Sequence, residues 1–205
     1  GSAAFARNDG GEVLAAALAL VERTKMVRSD WNGFNFLHHA AGRVGALDLG
    51  FVPAKGGKDI AEIFEGCANG STKLVYLLSA DEFDMNLLGK AFVIYQGHHG
   101  DDGAHRADVV LPGAAYTEKE ATYVNLEGRV QRTKQAVFPP GQAKEDWAIL
   151  RALADVLKIT LPYNNLAQLR ARMAEIAPHM AYVGEIVPAK WPTKAVHSHN
   201  FHISD

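Results

Sequence analysis

Three short apolar runs constrain the fold more than any other feature. They are residues 73–78 (Lys-Leu-Val-Tyr-Leu-Leu), 91–95 (Ala-Phe-Val-Ile-Tyr) and 109–111 (Val-Val-Leu). Each is strand-length and mostly aliphatic or aromatic, and each lies between stretches of helical periodicity. A strand apolar on both sides belongs inside a parallel sheet covered on both faces. The sequence therefore predicts an α/β fold, a layered parallel or mixed sheet with helices on both faces.

The helical stretches have recognisable starts and stops. Residues 13–23 read as a helix that is apolar nearly all round and hence buried, with Asp9 and Glu12 spaced as a capping box. Across residues 31–47, Phe34, Leu37, Ala41 and Val44 recur at helical spacing, with Asp30 as cap and Gly50 past the end. His38 would lie on the apolar face of that helix as a satisfied core histidine. Residues 53–57 form a loop. Residues 58–67 form a short helix with Ile60, Ile63 and Phe64 on one side. Strands at 122–126 and 129–132 meet at Glu127 and Gly128. Trp147, Leu150, Leu153, Ala154 and Leu157 make a helical stripe. Asn165 and Gln168 form a second capping box, opening a helix with Leu166, Leu169, Met173 and Ile176 that Pro178 ends. Residues 1–187 are expected to form one α/β domain, and residues 188–205 an extended tail.

Composition removes several function classes. The formal net charge is -2 with both signs dispersed, and no Lys/Arg cluster is interleaved with aromatics, so no nucleic-acid partner is expected. The longest apolar run, residues 13–21, is shorter than the roughly 20 residues that cross a bilayer, so no membrane insertion is expected. Asp9 and Glu12 precede that run where a signal peptide would carry positive charge. The chain has one cysteine, Cys67, so it can form no internal disulfide and hold no four-thiolate iron–sulfur cluster.

Residues 97–105 hold the densest set of chemistry-bearing side chains. Gly97-x-x-Gly100-x-x-Gly103 follows a strand, where open α/β sheets place ligands. The spacing is not that of the dinucleotide fingerprint, and Asp101 and Asp102 would repel a phosphate. The plainer reading is a tight turn in which glycine supplies positive φ. His98, His99, Asp101, Asp102 and His105 are possible metal ligands. Adjacent side chains such as His98 and His99 point apart in extended chain. His98 with Asp102, or Asp101 with His105, would converge only on a helix, which Gly100 and Gly103 oppose. Ser79 follows a strand but lacks a nucleophile elbow, and Cys67 lacks an activating cation. Glu118, Glu120, Glu127, Arg129 and Arg132 read as ion pairs bracing the hairpin. His197, His199 and His202 make a His-rich tail that says little about function. No catalytic, cofactor-binding or metal-binding residue is assigned.

The run Phe92-Val93-Ile94-Tyr95-Gln96-Gly97-His98-His99-Gly100-Asp101 resembles the large iron–sulfur subunit of respiratory complex I, NADH:ubiquinone oxidoreductase. The likeness continues through residues 111–119, 121–125, Glu127-Gly128-Arg129, Pro139-Pro140-Gly141 and Glu145-Asp146-Trp147. It extends upstream to residues 7–10 and 46–50. It covers roughly residues 1–180 and weakens after Pro178. The resemblance implies the C-terminal portion of a longer subunit, with the family's cluster-binding cysteines N-terminal to it. Iron–sulfur clusters would then belong to that missing part, and this portion would hold none. The pattern Ala-Asp-Val-Val-Leu-Pro followed by Asn-x-Glu-Gly-Arg is similar to the molybdopterin oxidoreductase fold, which complex I members keep without the molybdenum cofactor. Ala121-Thr122 stands where molybdopterin enzymes usually have Gly-Thr, and their metal ligand has no counterpart here.

The implied role is structural and non-catalytic, in the peripheral arm of the respiratory chain's electron-transfer complex. Partners would be other peripheral-arm subunits. The implied location is the matrix side of the mitochondrial inner membrane, or the cytoplasmic face of a bacterial one. The alternative is a molybdopterin-binding oxidoreductase fragment.

Overall fold

The structure is a computed structural model that describes residues 2–4, 7–35 and 37–188. In chain order the first elements are α1 (Gly10–Thr24), β1 (Val27–Arg28), β2 (Trp31–Asn32), α2 (Arg43–Asp48) and α3 (Ile60–Asn69). Then come β3 (Leu74–Leu78), β4 (Phe92–Gly97), α4 (Asp102–Arg106), β5 (Val109–Pro112), β6 (Thr122–Val124) and β7 (Val130–Arg132). The last are α5 (Asp146–Val156) and α6 (Leu166–Ile176), and short 3-10 turns occur at Ser2–Ala4, Met85–Leu88 and Pro178–Ala181. The chain divides into two compact units. One is Gly1–Asp48, Tyr123–Gln131 and Tyr182–Asp205; the other is Leu49–Thr122 and Arg132–Ala181.

The second unit contains the parallel sheet, in strand order β3-β4-β5. Leu74 pairs with Phe92 and Leu78 with Gln96; Ile94 pairs with Val109 and Gly97 with Pro112. The three apolar runs are thus its three strands, as expected. Side chains alternate between the two faces of a strand. Leu77, Val93 and Tyr95 point to one face and are buried with Cys67, Leu88 and Ala91. Ile63 and Phe64 of α3 and Ala104 of α4 pack on the same cluster. Fully burying an aliphatic such as Val93 contributes about 1.5–3 kcal/mol. On the opposite face, the carboxyl end meets α5 through Gln96 and Asp146. Leu74, Phe92 and Val109, further down that face, stay exposed at 54%, 45% and 39%.

Local chemistry fixes these elements. Asp59 caps α3 by accepting from the Glu62 N–H at 2.9 Å, and Glu62 accepts from the Asp59 N–H at 2.8 Å. Gly70, with φ 77°, ends it in the left-handed conformation. Asp108, in the Ala-Asp-Val-Val-Leu-Pro run, extends the β4–β5 ladder. Its side chain accepts from the Val93 N–H at 2.8 Å, and its own N–H donates to the Val93 carbonyl at 2.8 Å. Arg106 donates to the carbonyls of Gly89 and Ala91 at 2.9 and 3.0 Å. The motif is thereby a register lock.

The first unit holds α1, the β1–β2 hairpin, α2 and the turn between β6 and β7. The Asn125 side chain accepts from the N–H groups of Glu127 and Arg129, both at 3.0 Å. Gly128 takes φ 80°, which a side chain would strain. Arg129 then donates to the Gly184 carbonyl at 2.5 Å. The Asn-x-Glu-Gly-Arg motif is thus a self-satisfying turn. Val124 and Val130 flank it and are buried.

Several expectations need correction. Residues 31–47 are not one helix. Trp31 and Asn32 pair with Val27 and Arg28 as a hairpin, and only Arg43–Asp48 is helical. The Asn32 side chain accepts from the Phe34 N–H at 3.0 Å, a local bond that competes with a helical one. His38 therefore lies in irregular chain, partly buried, where burial and then the nearby Arg43 charge lower its pKa. In α1 only Gly10, Leu14 and Val21 are buried, and Leu20 is exposed at 55%. The buried pair Leu14 and Val21, two turns apart, marks a single stripe. Asp9 makes no capping bond because its carboxylate receives Arg7 at 2.7 and 2.9 Å. Asn165 does cap α6, but Gln168 accepts from the Asn164 N–H rather than from Asn165. The tail from residue 189, with His197, His199 and His202, lies outside the described residues.

Candidate functional site

The chemistry-bearing loop leaves the carboxyl end of β4. His98, His99, Asp101, Asp102 and His105 are exposed, whereas Gly97 and Gly103 are buried. None of Gly97, Gly100 and Gly103 adopts positive φ, so the turn explanation for them fails. The cause is close approach instead. A Cβ on Gly97 would lie 2.4 Å from the Tyr95 ring, and one on Gly103 would lie 2.6 Å from it. Tyr95 folds across both positions, and its hydroxyl donates to Asp81 at 3.1 Å. Burial, then the Asp81 bond and the charges of Asp81 and Asp101, push the Tyr95 phenol up to about 12. It therefore remains a protonated donor near neutral pH.

The loop is also more helical than its glycines suggested. Asp102–Arg106 forms α4, with the His105 N–H donating to the Asp101 carbonyl at 3.1 Å. Gly100 precedes this turn, and Gly103 is accepted inside it because Tyr95 fills the space a side chain would need. The His105 ring Nδ1 sits 3.0 Å from the Asp101 carbonyl oxygen, so that nitrogen is turned inward. His98 and His99 do not point apart; their rings lie 4.4 Å apart, tilted 57°. Among the described residues no three His, Cys, Asp or Glu side chains are grouped to hold a metal ion.

The other candidates are scattered. Ser79 has φ 51° and donates its N–H to the Gln96 carbonyl at 2.7 Å. Its hydroxyl faces that same carbonyl at 3.5 Å. Cys67 is buried within the core beneath the sheet. Glu118 accepts from the Ala115 N–H at 2.9 Å. Glu120 pairs with Arg170 at 3.1 Å, and Glu127 pairs with Arg129 at 3.7 Å. Arg132 is exposed at the end of β7. Glu118 and Glu127 thus brace local chain, while Glu120 ties the segment before β6 to α6.

A polar network escaped the sequence reading. Gln96, fully buried, accepts from the Tyr76 hydroxyl and donates to Asp146 Oδ1 at 2.9 Å. The other Asp146 oxygen takes the Lys119 ammonium. Burial and then the Asp146 charge raise the Tyr76 pKa. Fifty residues separate Gln96 from Asp146, so no local pattern could have joined them. The signal present was the pair of recognisable motifs, Gln96-Gly97 and Glu145-Asp146-Trp147. Beside the network lies a cavity of about 180 Å³, lined by Lys119, Asp146, Trp147, Leu169, Arg170 and Met173 among others.

The family model for molybdopterin oxidoreductases matches residues 1–156. The chain belongs to the molybdopterin oxidoreductase family. Among curated relatives it is 46% identical over 188 residues to the NADH-ubiquinone oxidoreductase 75 kDa subunit of Reclinomonas americana, covering 91% of this chain and 26% of that protein. It is 52% identical over 167 residues to the mitochondrial NADH-ubiquinone oxidoreductase 78 kDa subunit of Neurospora crassa, covering 80% of this chain and 21% of the relative. Among solved structures, acetylene hydratase from Pelobacter acetylenicus aligns with a TM-score of 0.48 at 21% identity, over 58% of this chain and 18% of its own. The chain thus spans about a quarter of the length of the curated relatives it matches, and it matches a portion of the complex I large subunit.

Proposed function

We propose that this chain is a structural, non-catalytic portion of the large iron–sulfur subunit of NADH:ubiquinone oxidoreductase. Its place is the peripheral electron-transfer arm, on the matrix side of the mitochondrial inner membrane, against other peripheral-arm subunits. The observation that carries this reading is 46% identity across 91% of the chain to a subunit so named. Another relative, 43% identical over 194 residues, is the mitochondrial NADH dehydrogenase [ubiquinone] iron-sulfur protein 1 of Solanum tuberosum. With one cysteine this portion lacks thiolates for a cluster, so clusters belong to other parts of the longer subunit.

The residues at the carboxyl ends of the strands do not suit a molybdopterin cofactor. Gln96, Tyr76, Asp146 and Lys119 use their polar atoms on one another. The Tyr95 ring fills the space before Gly97 and Gly103. The adjacent cavity, at about 180 Å³, falls below the roughly 300–1,000 Å³ of small-molecule sites. Asp101 and Asp102 would repel the cofactor's phosphate. These features support a brace built where a family member's ligand would lie.

Antibody raised against the chain, used on detergent-solubilised membranes of the source organism, tests the assignment. It should deplete NADH:ubiquinone reductase activity and recover it in the captured fraction. Capture of the polypeptide with stoichiometric molybdenum and pterin, and without that activity, would overturn the assignment.

A further inference from the structure

The parallel sheet has one face largely clothed, where Val110 of the edge strand β5 is nonetheless 49% exposed, and one face partly bare. Residues in register on parallel strands direct their side chains to the same side. Leu77, Val93 and Tyr95 therefore share the face buried by α3 and α4. Leu74, Tyr76, Phe92, Ile94 and Val109 share the other. At its carboxyl end Gln96 of β4 meets Asp146 on that second face, while Leu78 beside it on β3 is 43% exposed. Further down, Leu74 is 54% exposed, Phe92 45% and Val109 39%, while Tyr76 and Ile94 are half-buried. The patch crosses all three strands without a break.

Purely parallel sheets occur almost only with both faces covered. Three strands spaced about 4.8 Å apart make a floor about 10 Å wide, the width of one α-helix with its side chains. The open stretch runs about 10 Å along the strands, or roughly two helical turns. The relative matched over 91% of this chain is about three and a half times as long, since the match of 188 residues covers only 26% of it. We infer that an amphipathic helix from the part of the same polypeptide outside residues 1–205 packs on the Leu74, Phe92 and Val109 face. Its apolar residues would recur at i, i+3, i+4 and i+7, and it would complete the second helical layer. This rests on the reading of the chain as a portion of a longer subunit.

Hydroxyl-radical footprinting read by mass spectrometry, on the 205-residue chain and on the full-length polypeptide, tests it. Leu74 and Phe92 should be oxidised in the short chain and fall to the background of buried Val93 in the full-length one. Equal oxidation in both would overturn the inference while leaving the subunit reading intact. Protection in the short chain that is lost on dilution would assign the face to a second copy. Protection lost on removing residues 189–205 would assign it to that segment. Either result overturns the inference. A native polypeptide with the intact mass of this chain alone would instead defeat the longer-subunit reading, and the inference with it. Val109→Glu provides a second reading. It should leave the melting midpoint of the short chain unchanged and lower that of the full-length polypeptide; unchanged midpoints in both would overturn the inference.

Discussion

Replacing Asp146 by alanine should destabilise the second unit by a calculable amount. The carboxylate serves two partners. One oxygen accepts from the fully buried Gln96 amide at 2.9 Å, and the other takes Lys119. Losing that oxygen leaves the buried Gln96 amide only its longer contact to the Asp146 backbone carbonyl at 3.4 Å, which costs about 1–3 kcal/mol. Lys119 retains 20% of its side-chain exposure and can turn to solvent, so the ion pair adds at most about 1 kcal/mol. The expected loss is about 1–4 kcal/mol, or roughly 2–16 °C in melting midpoint for a chain of this size. Asp146→Asn keeps the acceptor for Gln96 and should cost about 1 kcal/mol or less. The assay is urea unfolding followed by tryptophan fluorescence, since Trp147 is adjacent. A cycle with Gln96→Met isolates the pair, because the double variant removes both the donor and its acceptor. A coupling energy of about 1–2 kcal/mol is expected. A loss below about 0.5 kcal/mol for Asp146→Ala, or additive single effects, would refute the network as a brace.

Three further outcomes follow from the same geometry. Gly97→Ala and Gly103→Ala should each cost about 1–3 kcal/mol through the Tyr95 ring, whereas Gly100→Ala, which meets nothing within 4 Å, should be neutral in thermal melts. Gly128→Val should cost about 1–3 kcal/mol because φ there is 80°, and an unchanged midpoint would contradict that turn. The Tyr95 phenol, at about 12 when folded against an ordinary value of 10.0, favours the folded state fully below pH 10. That contribution, about 2–3 kcal/mol, should fade as pH rises from 10 towards 12. Tyr95→Phe should flatten this alkaline decline in urea titrations between pH 9 and 11, and an unaltered slope would count against it.

The strands were legible because a buried parallel strand must be apolar on both sides, and residues 73–78, 91–95 and 109–111 say so directly. The asymmetry of their cover was not, since Leu74 and Leu77 look alike in sequence while only one is buried. Residues 31–47 misled because Phe34, Leu37, Ala41 and Val44 keep helical spacing while the Asn32 side chain satisfies the chain locally. Local bonds of that kind outweigh periodicity when no packing partner enforces it. In the candidate site, the glycines of residues 97–103 were read through φ. The real constraint at Gly97 and Gly103 is the Tyr95 ring, which no backbone rule could place. Gln96 and Asp146 were visible only as parts of separate motifs, because tertiary pairing over fifty residues leaves no periodic trace. The motifs themselves carried the family, and the structure supplies their physical reasons. Asp108 holds a strand register, and Asn125 with Gly128 builds a turn.

The most direct test of a structural, non-catalytic role is the turnover of assembled complex I whose large subunit carries His98→Ala, His99→Ala, His105→Ala and Ser79→Ala together. With the amount of assembled complex measured in the same preparation, NADH:ubiquinone turnover per complex should equal that of the unaltered protein. Normal assembly with a turnover reduced tenfold or more, about 1.4 kcal/mol of lost transition-state stabilisation, would place chemistry in this loop and contradict the account.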